Sequence, residues 1–465
     1  MSSRLKHIRL FISVLATVSA IAIITILLVA YGQGYIYDYE SGEITSGGLA
    51  LVDSRPSGAE VWINGNHEGT TSDRFRLPAQ NHYISIEAEG YRQWQKSFTV
   101  GESEVVNLEY PLLVPERVVT SPILSMEMPT ASDKSLSNNR VAAAFKKPVP
   151  HVRVFSVDNL DDQDLVLTIM TGWREVEISH LSFSSGGTRL LVGASDPNAT
   201  SRWFLVAIDG SEHEAVDLNA AFDVEIGEVQ FGTSPTSLVA LSDEGLHQLD
   251  VDTLDQRDFY QGEVDDFVVD ESGVLYMSRS VNNQTELVRQ TVLGTQQVVN
   301  TFSGERDISL DTIRWQEASS LLVHDKSKNQ LSIYSSLDSE QPQTRTFPAG
   351  SADSVLSSPD NRFIHQYSKE QVRLYDMRRN IEGTFSLPSE PGMSPVWVNQ
   401  SYLATVVDNE LIMFDYDGSN QEYLTRAEPA VVFADSDTDE VYSFRSHQHN
   451  DSALQLQVSS LTRRD

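Results

Sequence analysis

Histidines, carboxylates and serine-bearing turns are the residues of this sequence whose types and spacing could do chemistry. His180, His247, His324, His365, His447 and His449 are scattered along the long C-terminal region, and no HExxH pair would put two imidazoles and a general base on one helical face. They read as surface or packing histidines. A serine nucleophile of the elbow type needs G-x-S-x-G between a strand and a helix. GASD at 193–196 and GTSP at 232–235 sit instead in hairpin contexts with no helix to follow. Glycoside cleavage needs two carboxylates about 5 to 9 Å apart, but 66 acidic residues supply such pairs by chance. DSDTDE at 435–440 resembles the oxygen-rich half of a calcium loop without its central glycine or closing glutamate, and reads as a solvated turn. Gly65 and Gly69 would cradle phosphate only with a following helix or a GK[ST] triplet, and neither is present. Asn198-Ala199-Thr200 and Asn283-Gln284-Thr285 are glycosylation acceptor triplets. The reading is therefore no catalytic residue, no cofactor-binding residue and no metal ligand.

Charge restricts the partners. Lys plus Arg number 34 against 66 Asp plus Glu, a net charge of -32, which repels nucleic acid and favours basic surfaces. The absence of cysteine removes disulfides, thiolate metal sites and cysteine nucleophiles, and leaves the compartment open.

The elements that must position any site begin with Leu10 to Tyr31, a stretch without a charged residue. Arg4, Lys6 and Arg9 precede it, and Asp38, Glu40 and Glu43 follow. This pattern predicts one transmembrane helix over 10–31, a cytoplasmic tail at 1–9 and a juxtamembrane linker at 32–47. It places the rest outside the plasma membrane, with a cleaved signal peptide as the competing reading.

Next comes VDSRPSGAEVWINGNHEGTTSD, residues 52–73, whose glycines and proline punctuate short alternating strands. Asn64-Gly65 is the strongest two-residue hairpin signal, because both central positions of a type I′ turn need positive φ. PSGA and EGTT read as further turns, and RFRLPAQ, HYISIEAEGY, WQKSFTV and EVVNLEY as strands. Five or six strands without a helix predict a small β-sandwich over 48–112. Pro56, Gly58, Ala59, Val61, Asn64, Gly65, Gly69, Thr70, Leu77, Pro78, Ile84, Ile86, Gly90 and Tyr91 together resemble the PEGA domain. The signature tetrapeptide appears here as PSGA, and Thr71-Ser72 stands where that family often has threonine followed by proline. The resemblance implies an extracytoplasmic β-module beside a membrane anchor or a larger surface domain, not an enzyme. Its structural turn residues are Pro56, Gly58, Asn64, Gly65, Gly69 and Gly90. Trp62, Tyr91 and Trp94, with Tyr83, are the aromatics that could stack on a glycan, although a small sandwich needs its largest side chains as core.

Residues 113–135 read as a linker with a strand to lend, and 136–465 as a repeat. Phe183, Phe231, Phe267, Trp315, Leu356, Val398 and Phe433 recur at spacings of 48, 36, 48, 41, 42 and 35 residues. Each is followed by an apolar run such as LLV, LVAL or VLYM. That is the period of a β-propeller blade, roughly 40 to 45 residues. An eighth unit lies at 139–157, so seven or eight blades are expected, with eight favoured. As a repeat pattern only, the region resembles WD40-like or quinoprotein-like propellers, without the regular Trp-Asp ending or an Asp-box. The expected fold class is mainly β: a transmembrane helix, a PEGA-like sandwich and a propeller. The expected function is a membrane-anchored, non-catalytic binding or scaffold protein recognising protein, peptide or glycan at the cell envelope. The alternative is an anchored propeller hydrolase or lyase acting on envelope polysaccharide or peptide.

Overall fold

A computed structural model gives the fold. It describes residues 2–32, 35–37, 42, 44–126, 129–135, 140–146, 150–156, 165–167, 176–195, 200–209, 215–315, 318–339, 342–348, 354–369, 371–429, 431–435, 438–447 and 450–462. The chain divides into two compact units, residues 1–119 with 461–465, and residues 120–460.

The first helix, α1, runs Ser2–Gly32. Among the described residues no helix is long and apolar enough to cross a membrane, which corrects the expected anchor. The side chains of α1 described without a break are residues 13 to 26. With the span fall the single-pass plasma-membrane topology, the membrane as a partner, and the assignment of a cytoplasmic N-terminus and an extracytoplasmic bulk. The apolar side chains of this run, Val14, Ile21 and Ile26 among them, are exposed.

Among the described residues, the rest of the first unit forms two four-stranded sheets. In one, Ile44–Val52 pairs antiparallel with Asp73–Pro78 and parallel with Val105–Leu108, and its first residues pair with Tyr35–Tyr37. In the other the order is Asn66–Thr70, Glu60–Ile63, Asn81–Glu87, Trp94–Thr99. Alternation drives this arrangement. Val61 and Ile63 point into the core while Glu60 does not, and Ile84 and Ile86 join Ala50, Val52, Val106 and Leu108 there. Full burial of each isoleucine contributes about 1.5 to 3 kcal/mol. Asn64 and Gly65 have φ of 51° and 82°, as a type I′ turn requires. Gly48 is needed for a different reason: a Cβ there would meet Val100 Cγ1 at 2.5 Å and the Glu104 carbonyl at 2.6 Å.

The second unit holds, among the described residues, eight four-stranded antiparallel sheets in chain order. Their first strands are Ala131–Lys134, Glu177–Phe183, Glu228–Phe231, Asp266–Val269, Ile308–Trp315, Ser354–Ser357, Val396–Trp397 and Phe433–Asp435. Six of the seven residues that set the sequence period lie on these strands, and Val398 directly follows one. The second strands carry the predicted apolar runs, now buried: Leu190 to Val192, Leu238 to Ala240, Leu321 to Val323, Phe363 and Ile364. Neighbouring sheets share cores. Leu190 and Val192 of sheet two meet Ala142 and Val152 of sheet one, and Val239 of sheet three meets Phe267 and Met277 of sheet four. Sheet eight is built from Phe433–Asp435, Glu440–His447 and Asn450–Ser460, and its fourth strand, Val119–Met126, comes from the start of the repeat region. Sheet eight in turn packs on sheet one, with the rings of Phe155 and Phe433 6.5 Å apart. The arrangement is propeller-like.

Two outcomes follow from this packing. Gly65→Val adds no clash, because nothing lies within 4 Å of the new Cβ. Its cost is the backbone conformation alone, about 1 to 2 kcal/mol, read as a lower urea midpoint with unchanged slope. His365 is wholly buried on Phe363–Ser368, stacked on Trp397 at 5.0 Å, and burial pushes its pKa down to about 3. The unfolded chain takes up this proton near pH 6.5 while the folded protein does not. Stability from this group is therefore full above about pH 6.5 and is lost as pH falls toward 3, at up to about 1.4 kcal/mol per pH unit. Denaturation of wild type and His365→Phe at pH 7, 5.5 and 4.5 should show a difference that shrinks or reverses on acidification.

Candidate functional site

Side chains join several neighbouring first strands: those of sheets one and two, three and four, four and five, and eight and one. Thr130 Oγ1, just before the first strand of sheet one, donates to the Ile178 carbonyl of sheet two at 3.0 Å, and Asp133 accepts from Phe183 N at 2.7 Å. Gln230 of sheet three donates to the Phe267 carbonyl at 3.0 Å and accepts from Val269 N at 3.3 Å. Asp266 of sheet four accepts from Leu310 N of sheet five at 2.7 Å, and Lys134 Nζ donates to the Ala434 carbonyl of sheet eight. Side chains that bond the backbone of the next first strand place these strands along one inner edge of the array.

That edge concentrates ionisable groups. Asp133, His180, Glu228, Asp266 and Asp311 come from the first strands of five consecutive sheets. Burial raises the pKa of Asp266 to about 6, assisted by the charge of Glu228 and opposed by the amides of Leu310 and Phe267. Burial also raises Asp133, against the amides of Phe183 and Lys134 and the charge of His180, and raises Asp311 against Thr312 N. Burial lowers His180, while Asp133 and Glu228 pull it upward. Asp311 and His180 nevertheless reach solvent. The edge is a water-reached, acid-lined surface suited to cationic groups. Among the described residues no set of three His, Cys, Asp or Glu side chains could hold a metal ion.

A second constellation lies on sheet three. Ser242 Oγ is 2.8 Å from His247 Nε2, and His247 Nδ1 is 3.1 Å from Asp258 Oδ1. His247 is buried, Ser242 half-buried and Asp258 about half exposed. Hydrogen bonds from Gln261 and His247 hold the Asp258 carboxyl below its usual range. Sequence reading counted His247 among scattered histidines. The available signal was the hairpin SDEG, which folds Ser242 and His247 onto the same face of paired strands.

The other expected positions disperse. Trp94 is only 2% exposed, in the sandwich core with its ring edge-on to Tyr110, so it belongs to no surface platform. Tyr91 is half-buried against the same core, and Trp62 is half-buried with His67 edge-on at 5.1 Å. Of the turn residues, Gly58, Gly65, Gly69 and Gly90 all have positive φ, and Pro56 follows a cis bond. His180, His247, His324 and His365 sit on four different sheets. Ser195 ends a strand, and Ser234 caps a turn by accepting from Ser237 N at 3.0 Å. Asn198, Ala199, His449 and residues 436–437 of DSDTDE lie outside the described residues.

Comparison with known proteins supports the class assigned to the smaller module. The family description "PEGA domain" matches residues 48–114. No curated protein matches the chain. Among solved structures, a chain of the mitotic checkpoint complex is 14% identical, with 72% of this chain and 94% of that chain covered and a TM-score of 0.38. The β-propeller domain of Cps50 (Swd1) from Myceliophteria thermophila is 11% identical, with 73% and 99% covered and a TM-score of 0.41. Neither likeness extends to function.

The electrostatics of the inner edge can be measured directly. Carboxyl carbon NMR should find Asp266 half-protonated near pH 6. Glu228→Gln, which removes the neighbouring negative charge, should move that midpoint downward.

Proposed function

We propose that this chain is a recognition and scaffold protein in which the propeller-like unit binds a basic protein or peptide segment through its inner edge. The observation that carries this reading is the set Asp133, Glu228, Asp266 and Asp311 on the first strands of sheets one, three, four and five, with His180 of sheet two and Lys134 of sheet one as the basic groups on the same strands. A cationic side chain placed among these carboxylates relieves their mutual repulsion and replaces the water they lose. The net charge of -32 adds long-range attraction for the same partner. The PEGA-like segment is a separate compact module, with its large aromatics committed mainly to packing.

The purified protein should bind a lysine- and arginine-rich peptide and not its glutamate-rich counterpart in fluorescence anisotropy. Affinity should fall steeply as salt rises from 50 to 300 mM. The triple variant Asp133→Asn, Glu228→Gln, Asp266→Asn should bind at least about tenfold more weakly, a loss of about 1.4 kcal/mol. Equal binding by this variant, with its melting temperature retained, would move recognition away from the inner edge.

A further inference from the structure

We propose that Ser242, His247 and Asp258 form a nucleophilic centre on sheet three that accepts the acyl group of an activated ester. The proposal is independent of the recognition reading, because it concerns other residues on other strands.

Three side chains stand in the order that activates a hydroxyl. With its proton on Nδ1, His247 donates to Asp258 Oδ1 at 3.1 Å, with the Gln256 side-chain amide 3.4 Å from the same nitrogen, and its Nε2 lone pair faces Ser242 Oγ at 2.8 Å. The hydroxyl has a weaker alternative, the Gly245 carbonyl at 3.3 Å, and it accepts from Glu244 N at 3.1 Å. The serine is thus fixed relative to its base by a tight hairpin. Gly245 holds that hairpin at φ 134°, where a Cβ would strike the Tyr260 carbonyl at 2.1 Å.

The carboxylate reaches the imidazole through a bulge. Gly245 pairs with Gln261 and Leu246 with Tyr260, and continued regular pairing would set His247 opposite Phe259. The register shifts at that step, so His247 faces Asp258. Sheet seven has the same shift at the matching step, between Leu411 and Ile412. There the equivalent positions hold Val407, Ile412 and Tyr423. The backbone device therefore belongs to the fold, while the serine, histidine and aspartate do not. Nothing in the packing of a sheet demands this polar set.

In the reaction, Ser242 Oγ forms a bond to the acyl carbon as its proton passes to His247 Nε2. The ester C–O bond then breaks, and the departing oxygen takes that proton. Water repeats the sequence on the acyl-serine, losing its proton to Nε2 and releasing the acid and the free hydroxyl. Activation of the nucleophile by a positioned base is worth about 10² to 10⁴ in rate, enough for esters with good leaving groups.

The test uses the full chain, a fluorophosphonate probe and p-nitrophenyl acetate. Mass spectrometry should find the phosphonyl group on Ser242. His247→Gln should cut the labelling rate at least 100-fold and Asp258→Asn at least fivefold, while Ser242→Ala abolishes both labelling and the nitrophenol burst. Labelling of Ser242 at the same rate in His247→Gln, or labelling confined to other residues, would overturn the proposal. Should Ser242→Ala fail to fold, Ser242→Cys gives a second reading: its thiol should react with iodoacetamide at least tenfold faster with His247 present than in the His247→Gln background. Equal rates would again reject activation.

Discussion

A four-stranded sheet with apolar side chains on both faces cannot cover itself, and the second unit is built around that constraint. Strands such as Arg189–Ser195 are buried almost end to end because one face meets the preceding sheet and the other meets the next. Sheet eight meets the same demand by packing on sheet one, and the aromatic pair Phe155 and Phe433 fills that junction. Its outermost repeat strand, Asn450–Ser460, would leave an open edge, which Val119–Met126 covers. The two ends of the repeat region are thereby joined in one sheet, and Thr120 and Ser459 hydroxyls lie 3.2 Å apart across it.

The same constraint creates the inner edge. First strands of neighbouring sheets share no ladder. Their exposed amides are met instead by Asp133, Gln230 and Asp266. These contacts pull in two directions. A backbone amide favours the ionised carboxylate, yet the desolvation that accompanies it favours the neutral acid and is the larger effect at both aspartates. Carboxylates whose pKa is raised by folding weaken the folded state at neutral pH, so a cation arriving beside them recovers stability as well as affinity.

Much of this was legible in the residues themselves. The hairpin at Asn64-Gly65 could be read because only a few residue types tolerate its backbone, and the sheet period because each first strand needs one large apolar anchor. The strand Ala131–Lys134 was hidden: ASDK has no apolar alternation, and its pairing with Arg140–Phe145 depends on the partner. That residues 113–135 lend a strand was legible, but not that Val119–Met126 would join sheet eight, a pairing between residues more than 300 positions apart. At α1 the uncharged run suggested a span that the described helix does not supply. The relay on sheet three was illegible because its geometry turns on a one-residue bulge, and a register shift leaves no mark in composition or period.

Size separates the roles of the two modules. A sandwich of about 65 residues has little interior, so it draws on the largest side chains it has: Trp94 is buried, and Tyr91 and Phe98 are packed against the core. Aromatics used in this way cannot also present their faces to a ligand. The larger unit has cores between neighbouring sheets from one to seven and between eight and one, and can leave polar side chains at its inner edge and on sheet three. Chemistry and recognition therefore fall where the fold has side chains to spare.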